Sequence, residues 1–249
     1  MPNPYLLLWL EAPLQAWGHN SKFGRRESLN FPTKSGVLGL IFSALGAGGE
    51  QTELLAEFAN LDQQVISFNR NKNQLHNPQL RDFQMIGGGY DLDDPWQRRL
   101  QAYKSDGKPR ASEGGGIKMT YRYYLQDACF AVLLEVPADK AEAIAEALHN
   151  PVWDIFLGRK NCVPTDFIFR GSYQNASAAA EAALEIASSK ALHASFWVVD
   201  GQHSGESMTL MDVPTQFGEH KRYRDRQVTL IAAADYQADL SKDSPNLIS

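Results

Sequence analysis

The pattern of apolar and polar positions divides this chain into short strands separated by a few helices. Tyr5–Leu10 (YLLLWL) is continuously apolar, as a central strand buried on both faces requires. Residues 11–32 then lose all periodicity and are rich in Gly, Asn, Ser and Arg. Irregular segments of this length inside a domain are usually functional or disordered. Thr33 offers an N-cap for a helix starting near Lys34, and Val37, Leu40, Ile41 and Ala44 give it an apolar stripe at helical spacing. Gly46, Gly48 and Gly49 stop that helix, and a short acidic one is predicted over residues 51–59.

Val65–Phe68 and Arg81–Ile86 read as further strands, the second halted by Gly87, Gly88 and Gly89. The stretch up to Gly114, Gly115 and Gly116 is polar, basic and glycine-rich. From Tyr121 to Val136 the pattern is strongly β, first alternating and then almost wholly apolar, and Pro137 closes it. Ala138–His149 is amphipathic at helical spacing, and Phe167–Phe169 suggests a short strand after a basic turn. Residues 1–172 therefore run strand, helix, strand, strand, helix, strand. That is an α+β chain in ferredoxin-like, or RRM-like, order. Residues 173–234 read as a smaller C-terminal β-rich part, with an alanine-rich helix or connector and strands at 193–199, 207–211 and 227–232. Residues 235–249 carry little packing signal and read as a loose tail.

Composition changes this picture little. Of 249 residues, 43% are hydrophobic, which is ample for a core. No apolar stretch approaches the roughly 20 residues of a membrane span, and Pro2 and Pro4 with no basic n-region argue against a signal peptide. Cys129 lies in an apolar run and reads as a buried free thiol, and with Cys162 the only other cysteine the natural compartment is the cytoplasm.

The net charge of −5 does not suggest a partner for nucleic acid, but its distribution does. Acids gather on the predicted helices, while bases gather in the predicted loops. Lys22, Arg25, Arg26 and Lys34 form one group; Arg98, Arg99, Lys104, Lys108 and Arg110 form a second. Arg159, Lys160 and Arg170 form a third, and Lys221, Arg222, Arg224 and Arg226 a fourth. A phosphate backbone needs a local positive track, not a positive whole; the plain alternative is solvated loop charge.

Enzyme signatures fail on spacing. Lys34–Ser35 would end a phosphate loop only with glycines at 28 and 33, where Ser28 and Thr33 stand. Gly46–Gly49 is no dinucleotide fingerprint, because Gln51 breaks it and no strand directly precedes it. The six histidines are scattered without zinc spacing, so no cofactor or metal is implied. No Tyr, Lys or His is nominated by spacing as the acid or base of a ribonuclease.

A distinctive set of blocks remains: Leu10–Glu11–Ala12–Pro13–Leu14–Gln15–Ala16–Trp17–Gly18 running off the first strand, and Phe31–Pro32–Thr33–Lys34–Ser35–Gly36–Val37–Leu38–Gly39–Leu40 opening the first helix. Arg81–Asp82–Phe83 and Tyr124–Leu125–Gln126–Asp127–Ala128 flank the interruption, and Leu157–Gly158–Arg159–Lys160–Asn161–Cys162 follows the second helix. Over most of residues 4–172 this set resembles the Cas-five (CasD) family of type I CRISPR surveillance complexes (Cascade), most nearly type I-E. The resemblance implies an RRM-like fold with an inserted β-hairpin thumb, here about residues 87–116. It further implies a non-catalytic subunit that caps the 5′ handle of the guide RNA and assembles with a CasC-type backbone subunit and a CasA-type large subunit, meeting target DNA only indirectly. Relatives of subtype I-C cut precursor guide RNA, which leaves a metal-independent endoribonuclease as the alternative, and an RRM-like protein adaptor as a third reading.

The expected RNA contacts are Lys22, Arg25, Arg26, Lys34, Ser35, Arg110, Arg159, Lys160, Asn161, Arg222 and Arg224, with Arg81, Lys118 and Arg122 beside the interruption. Lys34 and Ser35 sit where a helix start offers free N–H groups to phosphate. Trp17 either stacks on a base or packs behind the strand.

Overall fold

One strand organises the molecule. The computed structural model describes residues 2–19, 21, 24–86, 95–96, 104–108 and 118–240. Its elements are β1 (Tyr5–Gln15), β2 (Arg25–Arg26), α1 (Lys34–Leu45), α2 (Thr52–Phe58), β3 (Gln63–Asn69), β4 (Gln79–Ile86) and β5 (Lys118–Glu135). They continue with α3 (Ala141–His149), β6 (Phe169–Tyr173), α4 (Ala176–Ser189), β7 (His193–Asp200), β8 (Glu206–Gln216), β9 (Arg222–Ala232) and α5 (Ala233–Leu240). The long β5, 18 residues, pairs through its C-terminal half with β1 and β3 and through its N-terminal half with β2 and β4.

The sheet runs β6-β1-β5-β3-β7-β9-β8, and every pairing is antiparallel except β2 with β5. Apolar runs in β1 and β5 are buried on both faces, as their lack of alternation requires. Leu6, Leu8 and Leu10 face one cluster with residues of α1, α2 and α3; Leu7 and Trp9 face another beneath α4. Ala179, Ala183 and Ala187 of α4 recur every four residues, so that helix lays a small-residue stripe against the sheet. Among the described residues no helix is long and apolar enough to cross a membrane.

The structure departs from the sequence reading in three places. First, β1 continues through Gln15, because β5 is long enough to pair with it as far as Leu125. Secondly, the C-terminal strands do not stand apart. β7 pairs with β3, so residues 193–232 extend the same sheet, and the expected basic loop Arg222–Arg226 lies within β9. Thirdly, a helix, α5, occupies residues that read as the start of a loose tail. Tyr236 anchors it by stacking on Trp197, with ring centroids 4.2 Å apart. Lys22, Arg110, most of the expected thumb 87–116 and residues 241–249 lie outside the described residues.

The hairpin β8–β9 is locked to α1 by buried charge. Arg226 donates Nε to Asp212 Oδ1 at 2.8 Å and Nη2 to Asp212 Oδ2 at 2.9 Å, and it also pairs with Asp200. The same Asp212 carboxylate accepts the backbone N–H of Lys34 at 2.8 Å, at the N-terminus of α1. Burial opposes the charge on Arg226, but Asp212 and Asp200 outweigh it and hold the guanidinium protonated. Breaking a buried pair from one side costs up to about 3–5 kcal/mol, and less where a second partner stays, as Asp200 does for Arg226. Asp212→Ala is therefore expected to lose stability of that order in denaturant unfolding; a loss below about 1 kcal/mol would show that the network carries no such weight.

Candidate nucleic-acid interface

The motif blocks of the sequence converge on one region, and packing explains most of them. Gln15 is fully buried: its Nε2 donates to the carbonyls of Leu10 (3.0 Å) and Ala128 (2.7 Å), and its Oε1 accepts Trp17 Nε1 at 3.1 Å. Trp17 is only 1% exposed and lies against Gly36, where an added Cβ would sit 2.8 Å from the indole. The tryptophan is thus a packing residue, not a stacking platform. Lys34 is likewise corrected. Its side chain is buried with Nζ on the Leu61 carbonyl, its backbone N–H is held by Asp212, and burial pulls its pKa below the ordinary lysine value. Thr33 caps the Gly36 N–H at 3.2 Å, so the helix start already has internal oxygen partners.

Leu157–Cys162 forms a tight turn closed by Leu157 N–H to Cys162 O and Cys162 N–H to Arg159 O, each 2.8 Å. Gly158 has φ +101°, and a Cβ there would fall 1.8 Å from the Ala16 carbonyl oxygen. Only glycine lets this turn dock on the end of β1. The turn projects Lys160 and Asn161 into solvent, while Arg159 folds back. Its Nη1 donates to the Tyr123 carbonyl at 3.1 Å, its Nη2 to the Arg26 carbonyl at 3.0 Å, and its guanidinium covers the Tyr124 ring at 4.5 Å. Arg159 is therefore a tie that fixes β2 beside β5, more than a free cation.

The β2-β5-β4 extension carries cations on both faces. Paired residues share a face, so Arg25, Arg81, Phe83, Met85, Met119, Tyr121 and Tyr123 lie together. Arg25 sits 5.5 Å over Tyr123 and pairs with Glu27 at 2.9 Å; Arg81 sits 5.6 Å over Tyr121. Phe83 is 46% exposed and its ring lies 5.1 Å from Tyr121, a basic–aromatic surface of the kind that suits unstacked bases. The opposite face brings Arg26 and Arg122 together, and there Arg122, Tyr124 and Gln84 line a depression with Arg159, Lys160 and Asn161.

Gly158 also borders a second, larger cleft of about 620 Å³ beside α1. Its floor holds Gly36, Gly39 and Gly48, its walls Trp153, Phe217 and Tyr223, and Ser35 and Lys221 supply polar groups. Burial raises the Tyr223 phenol, keeping it protonated as a donor. Of the fourth basic group, Lys221, Arg222 and Arg224 are all exposed, and Arg224 also donates to Ala59 O (2.9 Å) and Asn60 Oδ1 (2.8 Å) at the end of α2. Arg224 thus joins Arg226 as a structural cation. Sequence reasoning missed Lys221, Trp153 and Tyr223 as neighbours of Ser35, since the pairing of β8 with β9 brings Lys221 and Tyr223 there and the Trp153 N–H on the Ser43 carbonyl brings the tryptophan. Among the described residues no group of three or more His, Cys, Asp or Glu could hold a metal ion, and both cysteines are buried and free.

This arrangement can grip a polyanion with flat, unstacked bases, and comparison with known proteins defines the class. The chain belongs to the CRISPR-associated protein (Cas_Cas5) family, whose profile matches residues 5–229. It is 30% identical over 179 residues to the CRISPR system Cascade subunit CasD of Escherichia coli (strain K12), covering 68% of this chain and 71% of that protein. A solved chain of a CRISPR RNA-guided surveillance complex superposes with a TM-score of 0.66 at 26% identity, covering 96% of this chain and 98% of that one. A crystal structure of a Cas protein gives 0.59 at 25% identity, covering 92% and 94%.

The geometry separates two neighbouring cations. Arg159→Ala removes two hydrogen bonds to carbonyls and a ring contact, and is expected to lower the melting temperature measurably. Lys160→Ala, on the surface, is expected to leave it unchanged. Equal thermal shifts for the two variants would contradict this division.

Proposed function

We propose that this protein is a non-catalytic subunit of a CRISPR RNA-guided surveillance complex of the Cascade kind, and that it binds and caps the 5′ handle of the guide RNA. The observation that carries the reading is the sharing of Gly158 between the basic depression and the glycine-floored cleft. A single strand lying along Arg26, Arg122 and Lys160 passes over that glycine, where no side chain obstructs it, and enters the cleft beside Ser35, Trp153 and Lys221. Phosphates meet the cations, and exposed bases meet the rings. Membership of the family and the likeness to a chain of a surveillance complex support the same reading.

The core order β6-β1-β5-β3, with α1 and α3 in its connections, supports a ferredoxin-like or RRM-like assignment. The paired β4 and β5 supply the stem of the proposed thumb. Exposed Met85 and Met119 on that stem give a CasC-type backbone subunit an apolar contact, beside the bases that the stem displaces. A CasA-type large subunit completes the assembly, and target DNA meets the protein only through it and the guide.

Each phosphate neutralised contributes about −0.7 to the slope of log K against log salt for a single strand. Arg25→Glu combined with Arg26→Glu is expected to weaken handle binding and flatten that slope by roughly one unit, in a titration of handle RNA across salt. An unchanged slope would remove β2 from the RNA path. Purified protein is expected to leave repeat RNA intact with chelator present; specific cleavage at the hairpin base, abolished by one Tyr or His substitution, would replace this reading with an endoribonuclease.

A further inference from the structure

The long strand β5 loses its outer partner briefly between two neighbours. Leu125 pairs with Gln15 of β1 on one side and with Gln79 of β4 on the other, so β4 lies on the same edge as β3. β3 takes residues 129–134 of that edge and β4 takes 118–125. Between them the chain leaves as the loop 70–78 and returns with Gln126 N–H on the Pro78 carbonyl at 2.9 Å. Asp127 stands at the gap with φ 49°. The result is a cleft of about 370 Å³. It lies on the α4 side of the sheet, since its Phe68, Cys129 and Leu192 belong to that cluster, whereas the RNA cleft borders α1.

The lining of this cleft is rich in carboxamides. Pro13, Pro78 and Leu192 make apolar walls over the buried Phe68, and five carboxamides, Asn69, Asn71, Gln74, Asn77 and Gln126, ring them, Asn69 and Gln74 donating to loop carbonyls. Asn77 is the one buried residue of the loop 70–78, with 6% exposure. Its Nδ2 is inaccessible and has no hydrogen-bond partner among the described residues. A buried amide donor left unsatisfied is costly, and this one belongs to a side chain that lines the cleft.

We propose that this cleft receives one unstacked adenine of single-stranded RNA, as a second nucleotide subsite on the face opposite the cleft beside α1. A carboxamide presents a donor and an acceptor side by side, the complement of the adenine N6 amine and N7. The apolar walls accept the ring faces, and a volume of this size suits a single nucleoside. Arg70, exposed at the rim, meets one phosphate, while the Asp127 carboxylate repels phosphate from the interior and accepts the N6 amine. The base therefore enters and its phosphate stays outside. This inference rests on the RNA-binding reading above but concerns a different surface, and so it fails separately.

The test compares two oligoribonucleotides, an oligouridylate and the same strand with one central adenosine, in equilibrium titrations with the full chain at fixed salt. Wild type is expected to prefer the adenosine strand by about tenfold, within the range of one good carboxamide–adenine pairing. Asn77→Ala, and separately the half-buried Gln74→Ala, are expected to abolish or reduce that preference without changing affinity for oligouridylate. The Arg25→Glu, Arg26→Glu variant is expected to weaken both strands alike and keep the preference. Equal binding of the two strands by wild type, or an undiminished preference in folded Asn77→Ala and Gln74→Ala, would overturn the proposal while leaving the basic track in place. A preference that persists for the deoxyribonucleotide strand supports the base contact and overturns its restriction to RNA.

Discussion

Everything in this molecule hangs on the continuity of β5. One unbroken strand serves first as the middle of a three-stranded ribbon with β2 and β4, and then as a central strand of the sheet between β1 and β3. A strand rises about 3.3 Å per residue, so these two jobs are held roughly in line along one backbone. The basic and aromatic side chains of the ribbon are thereby positioned by the hydrophobic core itself. Arg159 adds the cross-tie, joining the carbonyls of Arg26 and Tyr123, so that the shortest strand, β2, does not depend on its two residues of pairing alone.

The second constraint is electrostatic. Asp212 serves both Arg226 and the first N–H of α1, and so the C-terminal hairpin and the N-terminal helix share one carboxylate. The helix start thereby gains an anion without any phosphate, and Lys34 is released from ligand binding into the core. On the other face, Lys190 joins Glu11 and Asp166, each at 2.7 Å, and holds α4 to β1. Burial alone would raise the Glu11 carboxyl, but the bonds from Lys190 and from Trp9 outweigh it and keep its pKa below the ordinary value. Charged residues that look like free loop groups in the sequence are, in these two places, the fasteners between layers.

The legible part of the fold was the part written in hydrophobicity. Tyr5–Leu10, the apolar half of β5 and the stripes of α1 and α3 stand in the sequence with little ambiguity, because burial imposes their periods. β8 and β9 were half hidden, since Asp212, Pro214 and the charged run Arg222–Arg226 mask strand alternation. The basic residues of the candidate site were legible by type, and their surroundings were not. Arg25, Arg26, Arg122 and Lys160 stand at the surface or line the depression, whereas Trp17, Lys34, Arg224 and Arg159 turn out to fix the scaffold. No local signal distinguishes a phosphate contact from a cation that caps a distant carbonyl. Only the three-dimensional address of each guanidinium does so.

The left-handed residue at Asp127 has a consequence for how such a chain can change over time. Neighbouring positions on a strand point to opposite sides, so the parity of residues between the core half of β5 and its ribbon half decides which side chains look which way. Loss or gain of a single residue at this joint would exchange Tyr121 and Tyr123 for Thr120 and Arg122 across the ribbon, with the core half left in register. Drift in loop length is cheap elsewhere on the surface, but here it would invert a whole face at once. The joint is therefore a place where descendants of this chain should hold their count.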